Sequence, residues 1–108
     1  MDDLTKDGQY LLGKIYEEYL LDINNGISKS KAKSIGSSRL IHEKLVPNEL
    51  FEDVDETMRE LGRSGYLKNS YADNIVYFSF ITDKTVLYME NRFKNNVKSI
   101  VDFISKLK

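Results

Sequence analysis

The sequence predicts a single, mostly helical α+β domain in the order helix, short strand, helix, helix, β-hairpin and a long last helix. Three observations predict it. Apolar residues recur at three- and four-residue steps through most of the chain, the mark of amphipathic helices. Two adjoining runs near residue 70 are instead rich in aromatic and β-branched residues. At 108 residues the chain has room for one modest core and no second domain. Hydrophobic residues at 41% and charged residues at 31% describe a chain that folds.

From about Leu4 to Asn24, the residues Leu12, Ile15, Tyr16, Tyr19, Leu20 and Ile23 line one helix face, and Asn24-Asn25-Gly26 ends the helix. Ile27 to Gly36 then alternate so that Lys29, Lys31 and Lys33 fall on one side of an extended segment, either a short strand or a basic loop. Ser37 or Ser38 caps a short helix to Leu45 that carries Leu40, Ile41 and Leu45 inward, and Val46-Pro47-Asn48 interrupts it. The third helix runs from about Asn48 to Ser64 with Leu50, Phe51, Val54, Met58 and Leu61 on its apolar stripe, and Gly65 closes it. Tyr66 to Tyr71 and Ile75 to Ile81 read as two strands around a tight Ala72-Asp73-Asn74 loop, where Tyr71 and Tyr77 are candidates to stack or to pack on the helices.

Thr82 caps the last helix, in which Val86, Met89, Phe93, Val97, Ile100, Ile104 and Leu107 follow at helical steps. Residues 1–81 are thus the core and residues 82–108 a helical extension of the same domain. From Phe93 through Val97, Ile100, Ile104 and Leu107 the spacing makes a narrow heptad-like seam that wants a partner. Two solutions stay open. With Asn95-Asn96 as a break, the seam folds back onto the tyrosine-rich first helix; unbroken, it pairs with a second copy as a homodimer.

This order resembles the winged-helix variant of the helix-turn-helix, in which the third helix reads bases and the hairpin is the wing. Its most specific parts are Leu61-Gly-Arg-Ser-Gly-Tyr-Leu67 and Ile81-Thr-Asp-Lys-Thr-Val-Leu-Tyr-Met89. The latter is similar to the strand-to-helix step Leu-Thr-x-Lys-Gly-x-x-Tyr-Leu of winged-helix regulators and departs from it at Thr85, where the pattern has glycine. Among such proteins the chain is similar to the small YjcQ-like group of bacteria and phages. The resemblance implies double-stranded DNA as partner and a role as a transcription regulator or a phage or plasmid accessory protein.

The charge pattern qualifies that implication. Sixteen basic residues stand against 17 acidic ones, for a net charge of -1, so any affinity for nucleic acid is local. At ~100° per residue, the third helix turns Glu49, Glu52, Glu56, Arg59, Glu60 and Arg63 away from its apolar stripe. Carboxylates there oppose an approach to phosphates. They are explained first by a solvated face suited to the helix dipole, and otherwise by a protein-binding face of Glu49, Glu52, Glu56 and Glu60. For DNA the candidates are Lys29, Lys31 and Lys33, Arg39 and Lys44 on the second helix, Arg59 and Arg63 on the third, and Lys68 at the wing. The competing reading of the lysine run is a solubilising loop.

No catalytic constellation is legible. There is no cysteine, no phosphate-cradling glycine loop and a single histidine, His42, with no second ligand suitably spaced. No enzyme activity, metal or cofactor is expected. The acidic, polar first residues and the lack of any apolar run near 18 residues lead us to expect a cytoplasmic protein with no membrane partner.

Overall fold

The computed structural model describes residues 1–107, in the order α1 (Lys6–Asn24), α2 (Lys29–Lys33), α3 (Ser38–Leu45), α4 (Phe51–Arg63), β1 (Leu67–Ala72), β2 (Ile75–Ile81), α5 (Asp83–Phe93) and α6 (Val97–Ser105). It is an α+β fold of helices around one antiparallel hairpin. Lys108, the last residue of the expected extension, lies outside the described residues.

The first helix starts where Thr5 Oγ1 accepts the Gly8 N–H at 3.0 Å, and its face of Leu11, Leu12, Ile15, Tyr16, Tyr19 and Leu20 is buried as the periodicity requires. Residues 29–33 differ from the expected strand or loop. Ser28 Oγ accepts the Lys31 N–H at 3.3 Å and starts one helical turn, which buries Ala32. At ~100° per residue, Lys31 sits ~200° round from Lys29 and Lys33 only ~40° from it, so the three lysines do not form one row. Extended pairing survives just beyond, where Ser34 bridges Phe80 and the Ile35 N–H donates to the Ser79 carbonyl at 3.0 Å.

Ser37 caps α3, which buries Ile41 and partly buries Leu45. Leu40, expected inward, lies half-exposed over Gly36. Helix α4 begins three residues later than the periodicity suggests, because Pro47 to Glu49 form a turn closed by the Glu49 N–H on the Val46 carbonyl. Leu50 therefore becomes the N-cap residue and is 72% exposed, while Val54, Met58 and Leu61 carry the buried stripe. At the far end Gly65 takes a φ of +83°, which only glycine adopts without strain, and the Tyr66 N–H closes back on the Leu61 carbonyl at 2.9 Å.

Asp73 and Asn74 both take left-handed φ values, 53° and 63°, and make the two-residue turn whose twist matches the strands it joins. Leu67 pairs with Ile81 and Lys68 with Phe80, until a register shift between Ser70 and Tyr71. That bulge switches which positions face inward. Val76 is buried on one side of it and Ser79 and Ile81 on the other, so Phe78 and Phe80 are turned outward. Thr85 fills the position where the resembled pattern has glycine. It is fully buried, and its hydroxyl donates to the Tyr66 carbonyl at 2.6 Å beside the bond from Thr82 Oγ1 to the Gly65 carbonyl at 2.8 Å.

The last helix is two helices. Lys94 and Asn95 take φ values of 52° and 54°, which no continuing helix allows, and Asn96 then caps α6 by accepting the Ser99 N–H at 3.2 Å. The Tyr16 hydroxyl donates to Asn95 Oδ1 at 2.9 Å and fixes the reversal against α1. Helix α6 returns along α1, where Gly13 admits it: a Cβ there would stand 2.8 Å from Ile104 Cγ1. The seam proposed for dimerisation is therefore divided between two helices. Phe93, Ile100 and Ile104 are buried, and Val97 and Leu107 are partly covered, within one chain.

Candidate nucleic-acid interface

The eight basic candidates fall into two groups. Four are ion-paired: Lys33 to Asp83, Lys44 to Glu18 and Arg63 to Glu56, each at 3.1 Å, and Arg59 to Asp55 at 2.9 Å. Arg59 is the most occupied, because its guanidinium also donates to the Asn74 carbonyl at 2.7 Å and lies 4.9 Å from the Tyr71 ring centre. It clamps the hairpin turn to α4 and has little to offer a phosphate. Arg39 is exposed, with its guanidinium 4.6 Å over the Phe51 ring. Lys29, Lys31 and Lys68 are exposed and, among the described residues, enter no ion pair.

The Ser34–Phe80 bridge brings the end of α2 to the hairpin. Ser34 directly follows α2 and flanks Phe80 on one side, while Lys68 pairs with Phe80 from the other. At about 4.8 Å between neighbouring strands, Ser34 and Lys68 flank Phe80. Lys84, which the sequence did not single out, stands at the hairpin base, where its ammonium donates to the Ser64 carbonyl at 2.6 Å and lies 4.3 Å from the Tyr66 ring centre.

The acids of α4 do not form one uniform face. Glu52 and Asp53 are exposed, and Glu56 is exposed in its pair with Arg63. Glu60 is a tie to the start of α1, accepting both the Thr5 N–H and the Thr5 hydroxyl at 2.7 Å against Gly8. Glu49 lies before the helix, and its carbonyl accepts a hydrogen bond from His42 Nε2 at 2.7 Å. His42 also packs edge-on against Phe51, so it is a structural residue of the α3–α4 turn.

Asp55, one helical turn before Arg59, is buried. Burial pushes its carboxyl up, but hydrogen bonds from Ser38, the Val76 N–H and Arg59, with the Arg59 charge, outweigh it and hold the group below its usual range. Tyr66 donates to Asp3 Oδ1 at 2.8 Å, which lowers the Asp3 carboxyl. Burial, with that bond and the Asp3 charge, pushes the Tyr66 hydroxyl up to about 12.

A hollow of about 80 Å³ between α1, α2 and α3, lined by Ile15, Tyr19, Ala32 and Ile41 among others, is far smaller than the ~300–1,000 Å³ of ordinary ligand sites. No helix among the described residues is long and apolar enough to cross a membrane. Comparison of the chain with protein-family models, with curated proteins and with solved structures finds no match.

Proposed function

We propose that the chain is a winged-helix DNA-binding protein of a regulatory kind, a transcription regulator or a phage or plasmid accessory protein. It grips the duplex backbone through α2 and the hairpin, and α4 does not read bases. The Ser34–Phe80 bridge carries this reading. It sets an extended residue between α2 and α3 against β2, which supports a helix, strand, helix, helix and wing reading of the order, with α2 as an added helical turn. The same bridge sets the end of α2 on one side of β2, with Lys68 on the strand at its other side.

Ammonium groups on flexible stems suit phosphate oxygens and give affinity without base discrimination. Helix α4 would bring Glu52, Asp53 and Glu56 against a duplex that carries one charge per ~1.7 Å of axis, and each desolvated carboxylate opposes that pose. Binding of a random-sequence duplex at low salt by fluorescence anisotropy tests the reading. Lys29→Glu with Lys31→Glu is expected to abolish binding, and unchanged affinity in that variant contradicts it.

The exposed Glu52, Asp53 and Glu56 favour a second reading, a winged-helix module that binds a basic protein surface through α4. Glu52→Lys with Glu56→Lys then disrupts the complex recovered by affinity capture without lowering the melting temperature. A complex that survives both reversals contradicts this reading.

A further inference from the structure

The outer face of the hairpin holds a partly exposed aromatic pair. Phe78 and Phe80 are 38% and 41% exposed, with ring centres 4.9 Å apart. Between them in sequence, Ser79 is fully buried, so both rings stand on the side away from the core. Opposite them on β1 are Ser70 and Lys68, one too small to cover a ring and the other cationic. Neither strand contains a carboxylate. At the neighbouring edge, the acid of Asp83 is held by Lys33 at 3.1 Å, and Ser34 again leaves the rings open.

We infer that this face binds single-stranded nucleic acid, with unpaired bases stacked on Phe78 and Phe80 and the adjoining phosphates met by Lys68. The chemistry follows from the side chains. Every base has a π-face, and aromatic rings on a sheet with cations alongside form a stacking platform that tolerates any sequence. A hydrophobic protein partner would be served as well by aliphatic residues, and a duplex backbone would have no use for the rings. The site goes beyond the duplex reading and stands without it, because the paired bases of a duplex do not reach the rings.

The test is anisotropy of a fluorescein-labelled oligothymidylate of about 12 nucleotides, within the ~4–16-nucleotide footprint of small stacking domains. Phe78→Leu with Phe80→Leu keeps the partial burial of both side chains and removes the π-faces. Stacking predicts that this variant binds at least about ten-fold more weakly while its melting temperature and its duplex affinity stay unchanged. An abasic strand of equal length and charge is expected to bind the unaltered protein at least about ten-fold more weakly than the oligothymidylate, and Lys68→Gln to reduce the salt dependence. If the leucine variant binds the oligothymidylate as tightly as the original, or if the abasic strand competes equally, the inference is overturned. No binding at low salt overturns it too, whether or not the duplex is bound.

Discussion

Ser38 Oγ donates to Asp55 Oδ1 at 2.6 Å, and that carboxylate joins three elements. The same Oδ1 accepts the Val76 N–H of β2 at 2.8 Å, and Oδ2 accepts Arg59 Nε from the next turn of α4 at 2.9 Å. Helix α3, helix α4 and the hairpin are thus held in register by one residue whose donors are all oriented toward it. Asp55→Asn leaves a single acceptor for three donors, two of them buried. It is expected to cost about 2–3 kcal/mol, read as a lower urea midpoint at unchanged slope.

The pH dependence of stability follows from the same groups. The Asp55 and Asp3 carboxyls are held below the ordinary value of 3.8, so their stabilisation is fully present above that pH and is lost as pH falls below it toward the folded-state values. Asp55→Asn should flatten the fall in melting temperature on the acid side. Tyr66 has the opposite sign. Its hydroxyl moves from 10.0 to about 12, so its contribution is complete below pH 10 and disappears as pH rises toward about 12. Tyr66→Phe should flatten the alkaline limb, and a limb unchanged in that variant contradicts this assignment.

Gly13 is where α6 enters the fold. A side chain there meets Ile104, so Gly13→Leu overpacks the α1–α6 contact and is expected to destabilise by about 1–3 kcal/mol, against the gain in helix propensity from losing a glycine. Thermal melting checks it. Because Ile100 and Ile104 would then lose their cover, the variant is also expected to associate in light scattering, where the original chain keeps those residues inside.

Thr85→Val tests the buried hydroxyl at the strand-to-helix step. The substitution keeps shape and leaves the Tyr66 carbonyl with only the longer bonds from Thr82, its hydroxyl at 3.1 Å and its N–H at 3.3 Å. An expected loss of about 1–2 kcal/mol in chemical denaturation measures that bond.

Much of this architecture is legible in the residues, because α1, α3, α4 and the hairpin each carry a strong period or turn signal. The lysine alternation of residues 29–33 misleads, since a five-residue helix capped by Ser28 leaves no apolar period to detect. Asn95-Asn96 marks the break in the last helix, but the identity of the surface that covers Ile100 and Ile104 depends on the distant Gly13. The site was harder to read for the same reason. A helical wheel turns Arg59 and Glu60 away from the helix's own apolar stripe and sets Asp55 at its margin, yet Asn74, Thr5 and Ser38 reach these residues from other elements. The hairpin bulge reverses the inward and outward parity of β2, so strict alternation along the strand does not show that Phe78 and Phe80 both face outward.

The proposed grip of Lys29, Lys31 and Lys68 on a duplex backbone, with α4 held off it, is electrostatic. Its most direct measurement is the salt dependence of random-duplex binding, followed by anisotropy from low to moderate salt. Three phosphate contacts predict a slope of log affinity against log salt of about -3, falling to about -1 in the Lys29→Glu, Lys31→Glu variant if residual binding is seen at all. A slope near zero, or a slope and affinity unmoved by those reversals, would contradict the account.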